Sequence, residues 1–109
     1  MIDFTHKSGD TFCLVPFQVK KDTVEMDLTG VEIRMQLRKQ PNARVEMELN
    51  LTNGGLQIVN ALEGRFRIAQ QIIKAEPFNY FYDIQFKFTD GRVKTYITGR
   101  FLISNDVTR

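Results

Sequence analysis

The feature that most constrains the fold of this chain is a period-two alternation of apolar and polar residues. It is clearest in two neighbouring segments, 31–38 and 45–51. Successive side chains of a β-strand point to opposite faces, so each segment predicts a strand with one apolar and one polar face. The loop between them contains Pro41, which has no amide proton for a sheet ladder, and we therefore expect a β-hairpin. The charged residues predicted to oppose one another on its polar face are Arg34, Arg38, Glu46 and Glu48.

The last third of the chain repeats the alternation with aromatic residues. Segment 80–88 has one apolar face, and Phe81 stands among the polar residues of the other face. Asp90-Gly91 follows directly, a dipeptide favoured in tight two-residue hairpin turns, and predicts a returning strand. Gly99 interrupts that strand and predicts a β-bulge or a close backbone approach. The apolar face is formed by Tyr80, Tyr82, Ile84, Phe86 and Phe88.

The remaining segments are shorter and less regular. Residues 11–19 predict a strand in which Pro16 points outward and marks an edge or a bulge. Residues 69–76 predict a single helical turn or a loop that ends before Pro77, because proline disfavours the helical conformation of the residue before it. Two further short strands are predicted at 56–59 and 65–68, and turns or polar connections at 20–25, 53–55 and 60–64.

These segments add up to seven or eight short strands with at most one short helical turn. That pattern is typical of an all-β sandwich or a small barrel. Strands with only one apolar face favour two antiparallel sheets packed face to face. The 109 residues suffice for one domain, 1–109, that buries roughly two-thirds of the surface exposed by its unfolded chain.

Few side chains are available for catalysis or metal binding. Cys13 is the only cysteine and His6 the only histidine, so an internal disulfide is impossible and the usual zinc sites cannot form. We predict that Cys13 is a small buried residue of the strand 11–19, and that His6 lies in a loop. Glycine-rich phosphate loops and dinucleotide motifs are absent. The sequence therefore predicts no catalytic residue, no metal site and no cofactor.

Net charge and hydropathy restrict the classes of partner that we expect. The net charge is only +2 and the signs alternate along the chain, which disfavours nucleic-acid binding. No run approaches the roughly 18 apolar residues of a membrane span, and no secretory signal is recognisable, so we expect synthesis in a cytoplasm and no membrane. Acidic residues of the predicted loops are interpreted as solvated, with a calcium site or catalytic pair as the functional alternative. They are Asp3, Asp10, Asp22, Glu25, Asp27, Glu63 and Glu76.

Exposed aromatic residues are the candidates for contact with a partner. We predict a partner contact for Phe78, Phe81 and Tyr96. An aromatic side chain on a polar face is covered either by a neighbouring subunit or by a loop of the same chain. Two other functions use the same features. A carbohydrate- or ligand-binding module would use Phe81 and the loop acids. An OB-like nucleic-acid-binding barrel would stack bases on the exposed aromatics.

Six short motifs occur in order along the chain. They are Gly9-Asp10-Thr11, Asp27 to Gly30 (Asp-Leu-Thr-Gly), Tyr80 to Ile84 (Tyr-x-Tyr-Asp-Ile), Asp90-Gly91, Thr95 to Gly99 (Thr-x-x-x-Gly) and Val107 to Arg109. With them, nearly the whole chain resembles the small immunoglobulin-like β-sandwich domains of tailed-phage structural proteins. It is similar in particular to the N-terminal domain of siphophage upper-baseplate proteins and to related prophage tail proteins.

The resemblance implies an antiparallel immunoglobulin-like sandwich with a structural role in a phage or prophage tail or baseplate. It implies assembly with copies of itself and with other tail or baseplate proteins, and a place in the virion after synthesis in the bacterial host cytoplasm. In baseplate proteins such a domain is usually followed by further domains. This sequence stops at Arg109, which predicts a stand-alone relative.

Overall fold

The structure is a computed structural model that describes residues 3–73 and 75–104, and these residues form an all-β fold with one 3-10 turn. Eight strands have four or more residues: β1 (Phe4–Lys7), β3 (Val15–Gln18), β6 (Glu32–Arg38), β7 (Met47–Asn50), β8 (Leu56–Asn60), β9 (Arg65–Ile68), β11 (Phe78–Lys87) and β12 (Val93–Ser104). Four have two: β2 (Thr11–Phe12), β4 (Lys20–Lys21), β5 (Val24–Glu25) and β10 (Gln71–Ile72). The 3-10 turn spans Ala61–Glu63.

The largest sheet contains five strands in the order β1-β12-β11-β6-β7. At its centre β11 pairs antiparallel with both β12 and β6. The hairpin predicted from the alternation is confirmed, since β6 pairs antiparallel with β7. The prediction of purely antiparallel pairing is wrong at one edge, where β1 runs parallel to the last four residues of β12.

A three-stranded sheet, in the order β3-β9-β8, shares its core with the large sheet. Phe66 of β9 is fully buried and connects the two layers. Its ring stacks on Phe17 of β3 at 5.0 Å between centroids and meets Phe86 of β11 edge-on at 5.6 Å. The predicted apolar row of β11 is confirmed, because Tyr80, Tyr82, Ile84 and Phe86 are buried and Phe88 is half-buried.

The polar face of the β6–β7 hairpin is held by amide groups more than by the predicted charge pairs. Gln36 is opposite Glu48 and donates to its carboxylate at 2.8 Å, and Asn50 donates to the same carboxylate at 2.6 Å. The predicted arginines point to other partners: Arg38 contacts Asp83, and Arg34 donates to Gln85. Glu46 pairs instead with Arg44, and both residues lie in the loop before β7.

Glu48 is expected to make the stability of the protein depend on acid pH. The hydrogen bonds from Gln36 and Asn50 lower the pKa of the Glu48 carboxyl below its ordinary value of 4.5. Because the folded pKa lies below the unfolded one, this stabilisation is complete above pH 4.5 and is lost as the pH falls through the lowered value. Glu48→Gln should therefore lower the free energy of unfolding at pH 7 by about 1 kcal/mol, the difference between charged and neutral hydrogen bonds.

Urea unfolding of the Glu48→Gln variant and the native protein at pH 7 and pH 3 measures this effect. The difference between the two proteins should shrink at pH 3. Glu46→Gln is the matched control, because the partner of Glu46 is the largely exposed Arg44 and such pairs contribute little. Equal losses for both variants at pH 7 would contradict the assignment to Glu48.

The turn between β11 and β12 differs from the predicted two-residue form. Phe88 N–H donates to the carbonyl oxygen of Arg92 at 2.8 Å, and Gly91 N–H donates to the carbonyl oxygen of Phe88 at 2.9 Å. These two bonds close a loop of three residues. A two-residue primed turn of type I′ needs positive φ at two positions, and here only Gly91 has it, at 93°. The loop therefore fits a tight turn followed by one left-handed glycine.

The irregularity of β12 lies three residues before the predicted one. The register with β11 shifts between Ile84 and Gln85, which leaves Tyr96 as the extra residue. Gly99 pairs regularly with Tyr82, so the prediction of a bulge at Gly99 is wrong. A bulged residue is unpaired and its strand bends, which brings the Tyr96 ring to 4.8 Å from that of Phe86.

Two predictions for the first third of the chain are wrong. His6 lies in β1 and not in a loop, with its ring edge-on to Phe12 and its Nε2 2.9 Å from the carbonyl oxygen of Asp10. Cys13 is exposed, because the predicted strand 11–19 is broken after β2 and the alternation restarts at Val15. The position of Pro16 is as predicted, since β3 is an edge strand of its sheet.

The connection 20–25 is a small hairpin of β4 and β5. Asp22 and Thr23 both have positive φ, the conformation of a two-residue primed turn. Val19, just before this hairpin, donates its N–H to the carbonyl oxygen of Gly64, just after the 3-10 turn, at 2.8 Å. Gly64 is buried and left-handed (φ 68°), and a Cβ there would meet the backbone carbonyl oxygens of Val19 and Met26.

The helical turn predicted within 69–76 is absent from the described part of that segment. Gln71 and Ile72 form β10, which pairs with β2. Gln71 also donates its side-chain amide to the carbonyl oxygens of Gly55 and Ala69 at 3.1 and 2.9 Å. The segment is therefore held by pairing with the start of the chain, a contact that no local pattern reveals. Lys74 lies outside the described residues.

Candidate functional site

The outer face of the five-stranded sheet carries an aromatic side chain covered by an arginine. Phe81 of β11 lies directly opposite Arg100 of β12, and the guanidinium sits 3.8 Å from the centre of the phenyl ring. Arg100 also donates to the carbonyl oxygen of Asn79 at 2.9 Å, which fixes the guanidinium over the ring. On the other side of Phe81, β6 places Arg38. The sheet therefore presents one half-buried aromatic ring between two arginines.

A groove of about 420 Å³ lies beside this ring. Its boundaries come from four parts of the fold: the end of β6, the following loop, β11 and β12. Aromatic and aliphatic surface is combined there with two arginines and one carboxylate. The lining residues are Arg38, Pro41, Phe81, Tyr82, Asp83, Thr98, Gly99 and Arg100. Such a mixture of apolar surface and a few fixed polar groups is typical of binding sites.

Asp83 supplies the negative charge of the groove. Its Oδ2 lies 3.3 Å from Nη1 of Arg38. Burial raises the pKa of the Asp83 carboxyl above its ordinary value, while Arg38 and Arg34 act in the opposite direction. Asp83 Oδ1 and Arg100 Nε are both shielded from solvent without a hydrogen-bond partner among the described residues. Unpaired buried polar atoms are costly, so a side-chain rearrangement that gave either atom a partner would add stabilisation.

Burial also affects Tyr82 at the floor of the groove. It raises the pKa of the Tyr82 hydroxyl to about 12, with a smaller contribution from the charge of Asp3. This hydroxyl therefore stays protonated at neutral pH.

The structure does not bring the three predicted contact residues together. Phe78 is at the start of β11, 38% exposed, with the ammonium of Lys39 5.2 Å from its ring centre. Tyr96 is at the bulge of β12, also 38% exposed, and packs on Phe86. Along β11 these two positions are separated by roughly 20 Å, at about 3.3 Å per residue. Only Phe81 lines the groove, and a contact role for Phe78 and Tyr96 stays a prediction.

An unpaired stretch of β12 adjoins the groove. On the side away from β11, β1 pairs only with Phe101 to Ser104, and no other strand in residues 3–73 and 75–104 pairs there. Arg100 N–H faces this side, because it donates to Oδ1 of Asp3 at 3.0 Å. Alternate residues of an antiparallel strand direct their backbone groups to the same side. The N–H and C=O of Thr98 therefore also face the side away from β11, between Arg100, whose N–H is capped by Asp3, and the bulge at Tyr96.

A second hollow, of about 160 Å³, lies farther along the same sheet between β6, β7 and Lys87. Its polar side chains already bond one another, since Glu48 accepts from Asn50 at its rim. It offers less apolar surface and no unpaired polar atom of the kind found at Asp83 and Arg100. The larger groove is therefore the better candidate site.

The loop acids do not assemble into a site. Several have local partners: Asp27 accepts from Thr29, Glu63 pairs with Arg65, and Glu76 pairs with Lys39. Within the described ranges no three His, Cys, Asp or Glu side chains are grouped so that they could hold a metal ion. No helix in those ranges has the length and apolar character needed to cross a lipid bilayer.

Sequence reasoning identified one residue of the groove and missed the others. Phe81 was recognisable because it breaks the alternation of a polar face. Arg100, Thr98 and Gly99 carry no such signal, since their place beside Phe81 depends on the register of β12. A comparison with models of known protein families gave no match, and a comparison with curated protein sequences gave none either.

Proposed function

We propose that the chain is an immunoglobulin-like β-sandwich that serves as a structural protein of a phage or prophage tail or baseplate. In this role it binds copies of itself and neighbouring tail proteins and catalyses no reaction. The observation that carries a protein-binding role is the groove around Phe81 and Arg100, which combines aromatic surface with two arginines. Arginine and aromatic side chains are enriched where proteins bind one another.

The strand order supports the immunoglobulin-like part of the proposal. In that fold one sheet has its sixth strand between the third and the seventh, and the other has its fifth between the second and the fourth. If strands of four or more residues are counted and β7 is set aside, the sixth strand, β11, lies between the third, β6, and the seventh, β12. In the other sheet the fifth strand, β9, lies between the second, β3, and the fourth, β8. The additional strand β7 beside β6 corresponds to the extra strand of the variable type.

The motifs that carry the phage resemblance have structural roles in this chain. Asp27 Oδ1 accepts from the N–H and the hydroxyl of Thr29, at 2.9 and 2.6 Å, and this turn leads into β6. Gly30 and Gly91 have positive φ at the entry to β6 and in the loop before β12. Val107 to Arg109 lie outside the described residues. These roles fit a domain whose motifs maintain the fold and leave binding to its surfaces.

The carbohydrate-binding alternative rests on the same groove. A sugar ring stacks on an open aromatic face, whereas the guanidinium of Arg100 already covers one face of Phe81. An OB-like nucleic-acid-binding barrel needs several exposed aromatics on one surface, and Phe78, Phe81 and Tyr96 are spread along the sheet. Both alternatives are therefore less well supported than protein binding.

The composition of purified virions tests the proposal. Prophage is induced in the bacterium that encodes the chain, virions are purified by density gradient, and their peptides are identified by mass spectrometry. We expect this chain among the tail proteins, and antibodies against it should label the tail or its tip in electron micrographs. Virions that lack the chain, together with a recombinant protein that is strictly monomeric and binds no co-expressed tail protein, would overturn the proposal.

A further inference from the structure

The loop between β7 and β8 is held by the side chain of Asn53. Its Oδ1 accepts from Asn50 N–H at 3.0 Å and from Gly55 N–H at 2.9 Å. Its Nδ2 donates to the carbonyl oxygen of Glu48 at 3.0 Å. The main-chain N–H of Asn53 donates in turn to Oδ1 of Asn50 at 2.7 Å. One exposed carboxamide therefore makes three hydrogen bonds, all of them to main-chain groups.

Two of these bonds lie at an edge of the five-stranded sheet, where β7 is the last strand and nothing in residues 3–73 and 75–104 pairs with its outer side. The carbonyl of Glu48 and the N–H of Asn50 are two residues apart, so they point to the same side of the strand. Both are bound to Asn53. Its carboxamide thus stands where the backbone of a further strand would be, and we call this arrangement the Asn53 cap.

Asn53 is followed by Gly54, and this is the only Asn-Gly pair in the sequence. The main-chain nitrogen of a glycine can approach the preceding side-chain carboxamide closely, because no Cβ stands in the way. Both residues are exposed, and no atom lies within 4 Å of the position that a Cβ of Gly54 would take. The pair therefore has the residue types and the access to water that intramolecular loss of ammonia requires.

We propose that Asn53 is a deamidation site whose reaction is slowed by the Asn53 cap and whose product releases the edge of β7. The nitrogen of Gly54 attacks Cγ of Asn53, and the bond from Cγ to Nδ2 breaks. Nδ2 leaves as ammonia with the proton of Gly54 N–H, and a cyclic imide remains. One water molecule then opens the imide at either carbonyl, which gives an aspartate or an isoaspartate at position 53.

The cap slows the first step because it holds the group that must react. When Gly54 attacks, Cγ of Asn53 loses its planar geometry, so Oδ1 and Nδ2 cannot both keep their main-chain partners. The reaction therefore proceeds from molecules in which the loop has opened locally, and its rate follows the small fraction that is open. The opposing effect is that two N–H groups on Oδ1 favour the negative charge that develops there, as in an oxyanion hole.

The product cannot rebuild the cap. A carboxylate has no N–H to donate, so its oxygen would face the carbonyl oxygen of Glu48. In the isoaspartate the main chain is longer by one methylene and the side chain is shorter by one, so the group cannot span the same main-chain partners. We therefore expect Glu48 C=O and Asn50 N–H to become accessible to water.

Ageing of the full chain at pH 7, followed by peptide mapping with mass spectrometry, tests the proposal. One sample is folded, and a second is kept unfolded in guanidinium chloride. We expect loss of ammonia at Asn53 in both samples, at least about tenfold slower in the folded one, because several hydrogen bonds must open first. In the folded sample, hydrogen exchange at the amides of Asn50 and Gly55 should become faster in proportion to the modified fraction. Gly54→Ala should slow the reaction of the unfolded chain.

Two variants separate the cap from its surroundings. Asn50→Ala removes the acceptor of Asn53 N–H and should raise the folded rate about fivefold, the factor for one ordinary hydrogen bond. Glu48→Ala is the matched control. Both variants lose the contact between Asn50 and the Glu48 carboxylate, but only Asn50→Ala loses the contact with Asn53. Circular dichroism checks that each variant is folded, and the rates of the unfolded chains should be equal.

Several results would overturn the proposal. A folded chain that reacts as fast as the unfolded one would show that the cap does not protect Asn53, and a faster one would show that the N–H groups of Asn50 and Gly55 act as an oxyanion hole. Equal folded rates for Asn50→Ala and Glu48→Ala, or unchanged exchange at Asn50 after modification, would overturn it too. The proposed role in a phage tail is tested separately by the composition of virions and does not depend on this reaction.

Discussion

Replacing Phe66 with alanine is expected to lower the free energy of unfolding by about 3–5 kcal/mol. Phe66 is fully buried and touches Phe17 of its own sheet and Phe86 of the facing sheet. Removing its ring leaves a cavity between two layers whose backbones are fixed by their own ladders, so that the site collapses poorly. A domain of this size has only about 5–15 kcal/mol of stability, and the variant should therefore be marginally folded.

Chemical denaturation with fluorescence or circular dichroism measures the loss for Phe66→Ala. Leu62→Ala is the control, since Leu62 belongs to the neighbouring 3-10 turn but is 72% exposed. It should change the free energy of unfolding by less than about 0.5 kcal/mol, as for most surface substitutions. Similar losses in both variants would mean that Phe66 does not join the two layers.

The second large effect is expected at Gly64. Gly64→Ala places a Cβ against the carbonyl oxygen of Val19 and 2.8 Å from that of Met26, at a backbone φ of +68°. A left-handed conformation costs a non-glycine residue about 1–2 kcal/mol. The clash also displaces the Val19 carbonyl, which accepts from Met26 N–H, and a lost buried hydrogen bond costs about 1–3 kcal/mol. We expect a total loss of about 3 kcal/mol or more.

Gly54→Ala separates the two causes. Gly54 has a similar φ of +79°, but no atom lies within 4 Å of the position of its Cβ. It should therefore show only the conformational cost of about 1–2 kcal/mol. Denaturation midpoints of the two variants measure the difference. Equal losses would show that the contacts of Gly64 with Val19 and Met26 contribute nothing.

Alternation predicted the centre of the fold because the determinants are local there. The strands β6, β7, β9 and β11 each show their buried face in their own sequence, and their neighbours follow after short turns. The strand β1 has no such signal. Its inward residues are Phe4 and His6, and its partner β12 is almost a hundred residues away. Parallel pairing of the two ends therefore requires the assembled sheet.

For a related reason, most residues of the groove could not be predicted from the sequence. Phe81 meets Arg100 only if the loop at 89–91 has three residues and β12 has an extra residue at Tyr96. A change of one residue in either would turn Arg100 to the opposite face of the sheet. The dipeptide Asp90-Gly91 predicts a two-residue turn, one residue shorter than the loop observed, and nothing in the local sequence marks the bulge. The composition of the site is thus fixed by register.

The parallel contact between β1 and β12 has a mechanical consequence. Phe4 pairs with Phe101 and Lys7 with Ser104, so the two strands enter and leave their shared ladder side by side. A force that pulls residue 3 and residue 104 apart acts along the strands in opposite directions. It stretches all rungs of this ladder together and does not open them one after another from one end. Single-molecule stretching should record one high rupture event, whereas an attachment that peels β1 away sideways should release it at low force.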